Sequence, residues 1–292
     1  MIVRAGFLAM LSLTFASPAM GSPQIFGGGV ISMPVNVAAP AFAPDGATVY
    51  FQRGVGLQRT IYISSKRGDA WSTPVAAPFA DHWMNIEPAF APDGSYIVFA
   101  SDRPIDGGGK VLDWAVGGKV RAGRGSNLWR VDRSGSGWSA PRRLPANVND
   151  GPAIFAPAVA DDGTLFFMKD VGGGTFHLYE ARPSGASYEP AEPLPFSRQG
   201  TSDIDPAVSK DGSYIVFGSD RDASAPSNAY IAFRTSRGWT APLRLPDDSG
   251  IGNAIEFRLS PDENTLYFSR DGSIWSVPFA ALREQLRNLA KP

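Results

Sequence analysis

The segment EPAFAPDGSYIVFASDR, Glu87 to Arg103, returns 118 residues later as DPAVSKDGSYIVFGSDR, Asp205 to Arg221. Aligned on the Asp-Gly turn, five stretches share this form: APAFAPDGATVYF from Ala39, EPAFAPDGSYIVF from Glu87, APAVADDGTLFF from Ala156, DPAVSKDGSYIVF from Asp205 and EFRLSPDENTLYF from Glu256. The period is about 50 residues, stretched once to about 70. A unit of that size cannot bury its own apolar face, so successive copies must stack and share a core. Within each copy two short β-rich runs flank Asp-Gly or a variant, and those residues supply the turn backbone. Each copy therefore reads as a β-hairpin.

A third run follows every hairpin: TIYIS at Thr60, NLWRV at Asn127, HLYEA at His177, NAYIAF at Asn228 and SIWSV at Ser273. A fourth follows the first four copies: AWSTPVAAP at Ala70, GWSAPRRLP at Gly137, SYEPAEPLP at Ser187 and GWTAPLRLP at Gly238. Proline cannot donate to a ladder, so this last strand belongs on an exposed edge. Four strands ending on an edge make a propeller blade. After the fifth copy the chain instead enters FAALREQLRNLAKP, whose spacing predicts a helical tail over residues 281–292. VISMPVNVAAP, Val30 to Pro40, matches the fourth-strand type and precedes the first hairpin, so residues around Ile31 to Val37 are expected to complete the last blade. The predicted fold class is all-β: a five-bladed β-propeller over residues 22–280, its last blade closed by an N-terminal strand. Six blades are the alternative. They would need another repeat in the glycine-rich stretch after Arg103, which has neither a Pro-Asp-Gly hairpin nor a GWxxP strand.

The consensus xPxFxPDGxxIxFxSDR…xLWxxxRxxxGWSxP resembles the WD40-like repeat of the TolB-like β-propeller family, also found beside OmpA-like domains in bacterial envelope proteins. The resemblance spans roughly Val30 to Pro278 and implies an exported propeller. TolB has a further N-terminal domain ahead of its propeller, with no counterpart between the leader and the first blade strand here. The resemblance therefore implies a TolB-like propeller rather than TolB's own Pal-binding and translocation roles. The fifth copy departs from the consensus, with Glu263 in place of the turn glycine and Phe257 in place of the inner-strand proline.

Composition excludes several classes of function. With 27 Lys and Arg against 28 Asp and Glu, the chain offers no electrostatic footprint for nucleic acid or an anionic membrane. Residues 1–21 read as a signal peptide: Arg4, an apolar run from Ala5 to Ala16 too short to span a bilayer, then small residues at Ala19 and Gly21. The expected location is periplasmic or secreted, with no membrane span in the mature chain and a monomeric state. The absence of cysteine removes disulfides, thiol chemistry and thiolate metal sites.

Chemistry is expected where the inner strands line the central channel. The residue before the inner-strand proline is Ala39, Glu87, Ala156, Asp205 and, before Phe257, Glu256. The end of the second strand brings Arg53, Arg103, Lys169, Arg221 and Arg270 to the same rim, so carboxylates and cations are expected to meet there. Two readings stand. Glu87 and Asp205 pair with Arg103 and Arg221 as structural ties, or Glu87, Asp205 and Glu256 converge on a ligand as acid and base or around a divalent cation. No cofactor is otherwise called for. His82, Trp83 and Asn85, in ADHWMNIEP, form a loop able to contact a sugar or peptide, and His177 reads as structural. The lone GGGK lacks phosphate-loop spacing, which excludes nucleotide binding.

The one large insertion, Pro104 to Arg124, is basic and has Trp114 as an anchor. Candidate binding residues are thus His82, Trp83, Asn85, Arg103, Trp114, Arg221 and Arg270, and candidate catalytic residues are Glu87, Asp205 and Glu256. The functions they suggest are a binding module for an envelope protein or glycan, or a carbohydrate-active hydrolase or lyase.

Overall fold

Five antiparallel sheets follow one another along the chain in the computed structural model, which describes residues 21–33, 35–105, 109–198, 200–222 and 227–291. The inner strands are Val37–Phe42, Asn85–Phe90, Ile154–Val159, Asp203–Val208 and Ile255–Leu259. Each lies against the inner strand of the next sheet, and the fifth lies against the first, which closes a ring. This is a five-bladed β-propeller. The six-bladed alternative fails because the described residues of the stretch after Arg103 form one two-stranded hairpin outside the blade sheets, Trp114–Val116 paired with Lys119–Arg121. The predicted signal peptide, apart from Gly21, lies outside the described residues.

The hairpin turns form as the Asp-Gly pairs require. Asp45, Asp93 and Asp211 each accept the backbone N–H two residues on, and Gly46, Gly94 and Gly212 sit at φ 66–75°. Glu263 occupies that glycine position at φ 58°, and tertiary contacts offset the strain. It accepts the Lys210 N–H at 2.6 Å and the Tyr214 hydroxyl at 2.9 Å, and lies 3.7 Å from Arg283 of the C-terminal helix, Ala280–Leu289. That helix buries Leu282 and Leu286 in the core of the fourth and fifth blades.

Proline divides the outer strand, as its missing N–H dictates. In blade 1 the pieces Ala70–Trp71 and Val75–Ala76 flank Pro74, and both pair with the third strand, Thr60–Arg67. Blades 2 and 4 repeat the division. In the last blade the outer strand comes from the N-terminal side, as expected, but from Gln24–Ile25 rather than from residues around Ile31 to Val37. Val37 starts the inner strand of blade 1, and Ile31 is a fully buried turn residue of the closure core. The closing strand lies earlier than the sequence pattern predicts because Val30 to Pro40 holds that buried turn and an inner strand in succession.

Blades are joined by aromatic packing. Trp138 of blade 2 donates its indole N–H to the Tyr50 hydroxyl of blade 1 at 3.0 Å and meets that ring edge-on. Trp239 of blade 4 meets Phe166 of blade 3 edge-on. Trp71 of blade 1 packs on Phe26 beside the closing strand of blade 5. The recurring tryptophans are thus packing residues.

Candidate functional site

Every inner strand breaks register once, between Ala38 and Ala41, Ile86 and Ala89, Phe155 and Ala158, Ile204 and Ala207, and Ile255 and Arg258. The bulged residues are Ala39, Glu87, Ala156, Asp205 and Glu256, at φ 48–55°. The left-handed region costs an L-residue roughly 1–2 kcal/mol, so a repeated bulge has to be held in place by its surroundings.

Part of what holds it is visible in the hydrogen bonds. The Ala156 N–H donates to Glu87 Oε2 at 2.6 Å, and the Glu256 N–H to Asp205 Oδ2 at 3.0 Å. The Glu87 N–H donates to Gln52 Oε1 and the Ala39 N–H to Ser269 Oγ, each at 3.2 Å. In each case a side chain of one blade satisfies the bulge amide of the next. Gln52 extends the chain by donating from Nε2 to Glu256 Oε1 at 2.6 Å. Glu87 and Asp205 are therefore acceptors stitching the ring together, and both are about 95% buried.

The rim cations turn away from these carboxylates. Arg103 pairs with Asp81 at 3.0 Å, donates to Asn85 Oδ1 at 3.2 Å and stacks over Trp129. Arg221 pairs with the fully buried Asp203 at 2.7 Å and stacks over Tyr230. Arg270 donates to the Gly250 carbonyl and stacks over Trp275. Arg53 and Lys169 lie over Tyr62 and Tyr179. Each cation thus lies on the third-strand aromatic of its own blade, the shared Y or W of TIY, NLW, HLY, NAY and SIW. The expected pairing of Glu87 with Arg103 and of Asp205 with Arg221 does not form.

The cation whose charge reaches all three carboxylates is Arg258, without an ion pair to any of them among the described residues. This fully enclosed guanidinium donates from Nη1 to the Phe257 carbonyl at 2.7 Å, and its charge acts on Glu87, Asp205 and Glu256 together. One cation among three buried acids leaves an excess of negative charge. Burial first, then repulsion from Asp205 and Glu256, pushes Glu87 up to about 8. Burial and repulsion from Glu256 push Asp205 up to about 7. Glu256 is also raised by burial, but hydrogen bonds from Ser269 and Gln52 and the charges of Arg59 and Arg258 favour its anion. Arg258 had a sequence signal: it stands where the other four copies have alanine, at Ala41, Ala89, Ala158 and Ala207. Among the described residues no group of three His, Asp or Glu side chains is placed to hold a metal ion.

The face where chain enters the inner strands has a different character. Asn85 is fully buried, bonded to Arg103 and the Trp83 carbonyl, while His82 is exposed with its ring 4.3 Å from Trp83. The insertion hairpin docks on blade 3. The Trp114 indole N–H donates to Asp170 Oδ2 at 2.6 Å, and its ring packs on Phe155 and Phe176. A Cβ on Gly125, at the base of the insertion, would stand 2.5 Å from the Pro152 carbonyl oxygen, so glycine is required there. Between the hairpin and the channel mouth lies a cavity of about 290 Å³, bordered by Arg59, Arg121 and Arg124.

No family model and no curated protein matches this sequence. Solved structures do. TolB from Acinetobacter baumannii superposes at a TM-score of 0.50 and 15% identity, covering 84% of this chain and 55% of its own. The chain thus spans about half the length of that TolB. A thermostable family-43 glycoside hydrolase superposes at a TM-score of 0.56 and 13% identity, covering 86% of this chain and 91% of its own. Identities this low establish architecture alone: the chain is a β-propeller, a fold it shares with this TolB and with a glycoside hydrolase.

Proposed function

We propose that the chain is an exported binding module, periplasmic or secreted, that works without a cofactor and takes an envelope protein or glycan on its loop face. One observation supports this over catalysis. Glu87 and Asp205, two of the three channel acids, are buried and bonded to the bulge amides of neighbouring blades, whereas the insertion hairpin is docked on blade 3 through Trp114 and presents exposed arginines. Ordered non-repeat loops on one face of a propeller are where binding groups are expected. The test is capture from an envelope extract by the purified protein and by a variant with residues 110–121 replaced by a short Gly-Ser turn. Loss of a captured component in the variant, with an unchanged melting temperature, supports the reading. Equal capture by both refutes the hairpin as the contact.

A second reading has one observation in its favour. Burial and repulsion among the channel acids push Glu87 up to about 8 and Asp205 up to about 7, the range a general acid needs, and the propeller fold is shared with a glycoside hydrolase. Screening the protein against chromogenic glycosides tests it: turnover abolished by Glu87→Gln or Asp205→Asn would establish hydrolysis, and the absence of turnover on every glycoside would end that reading.

A further inference from the structure

The cavity beside the insertion hairpin has an unusual combination of walls and rim. Its walls are Leu57, Met84, Trp114 and Phe155, which offer no hydroxyl, amide or carboxylate side chain. Its rim has three guanidinium groups. Arg121 and Arg124 are exposed, and among the described residues neither guanidinium has an ion pair or a hydrogen bond. Arg59 uses Nε on the Gly56 carbonyl at 3.0 Å and rests one terminal nitrogen 3.9 Å from the Met84 sulfur. Two acids of the hairpin and of blade 3 are already engaged. Asp113 holds Lys110 at 2.5 Å and the Gly123 N–H at 3.0 Å, and Asp170 holds the Trp114 indole.

We propose that this pocket binds the C-terminus of a peptide, with the terminal carboxylate on Arg121 and Arg124 and a large apolar last side chain against Trp114, Phe155 and Met84. This rests on the reading of the chain as a binding module. Arginine presents paired donors that match a carboxylate in a two-point grip, and no acid in the lining competes for them. The lining has guanidinium donors but no hydroxyl, amide or carboxylate acceptor for a sugar's hydroxyl protons, which favours a ligand group that only accepts. Ligand pockets span roughly 300–1,000 Å³, and about 290 Å³ falls at the small end. The pocket therefore takes one residue, and the rest of the peptide runs over the surface. Trp114 is held by Asp170 and two phenylalanines, so the aromatic wall is in place before the ligand arrives.

The probe is a fluorescein-labelled hexapeptide ending in Phe with a free carboxylate, read by polarisation in 50 mM salt. It is compared with the same peptide as its C-terminal amide, the same peptide ending in Gly, and unlabelled trigalacturonate as competitor. Amidation and Arg121→Ala or Arg124→Ala are each expected to weaken binding about tenfold or more, as loss of a charged hydrogen bond does. Both arginines are exposed, so melting temperatures should not move. Quenching of Trp114 fluorescence by the free-acid peptide, absent in Trp114→Leu, places the ligand in this pocket. Equal binding of acid and amide overturns the proposal, as does no binding of the free-acid peptide at millimolar concentration. Displacement by trigalacturonate at lower concentration than unlabelled peptide overturns it in favour of an acidic glycan. If the hairpin variant loses an envelope component while the free-acid peptide fails to bind, the C-terminal assignment falls and the binding-module reading survives. If capture is also unaffected, both fall.

Discussion

Replacing Glu87 with glutamine should make the protein more stable at pH 8 and leave it nearly unchanged at pH 5. Glu87 is buried beside two other acids, and its folded-state value of about 8 lies far above the 4.5 of an exposed glutamate. For an acid raised by folding, the folded chain binds the extra proton. That contribution to stability is complete below the unfolded value, near pH 4, and is lost progressively as pH rises from there through the folded value, near 8. At about 1.4 kcal/mol per unit of difference, roughly 3–4 kcal/mol should be withdrawn between pH 5 and pH 8. Glutamine matches the protonated acid in shape, still accepts the Ala156 N–H, and cannot ionise. In thermal melts, where 1 kcal/mol is worth about 2–4 °C in a chain of this size, Glu87→Gln should melt roughly 10 °C above wild type at pH 8. At pH 5 the two should agree within about 3 °C. A gap between the two proteins that does not change with pH would refute the reasoning, because Glu87 would then not be the titrating group. Glu87→Ala serves as the control: it leaves the Ala156 amide without its acceptor and should destabilise by about 1–3 kcal/mol at both pH values.

Removing the buried channel cation Arg258 should do the reverse. Arg258→Ala leaves three buried acids uncompensated and should cost about 3–5 kcal/mol at pH 8, with much of it recovered in urea titrations at pH 5. Trp138→Ala opens the joint between the first two blades and should destabilise by about 3 kcal/mol; a loss below 0.5 kcal/mol would show that the blades do not depend on it. Glu263→Gly relieves a left-handed backbone worth roughly 1 kcal/mol but removes the acceptor for Lys210 and Tyr214, so a net loss of about 1 kcal/mol is expected. A gain in melting temperature would show that the strain outweighs the contacts.

Most of the architecture can be read from local sequence, and particular residues show why. Asp-Gly at 45–46, 93–94 and 211–212 fixes the hairpins because only such residues favour the turn backbone. Pro74 and Pro141 mark edge strands because proline has no donor. Ala39, Glu87, Ala156, Asp205 and Glu256 stand out as one ring position because a repeat makes equivalent residues comparable. The position of the closing strand could not be read in this way. Gln24–Ile25 is two residues long with both side chains exposed, so it has almost no pattern of its own and is a strand only because Ser273–Pro278 offers it an edge.

The candidate site divides along the same line. Sequence by itself determined which groups are available: three acids before the inner-strand turn, one cation per blade at the end of the second strand, an insertion with Trp114, and Arg258 in an alanine position. Tertiary structure alone decided their partners. A guanidinium reaches several ångströms in any direction, and Arg103 and Arg221 went outward to Trp129, Asp81, Asp203 and Tyr230 because their own blades offered aromatic faces and acids. Glu87 and Asp205 were left to accept the bulge amides of the neighbouring blades, within range of the Arg258 charge. That meeting joins residues 51 to 171 positions apart in the chain, and only closure of the ring brings them together.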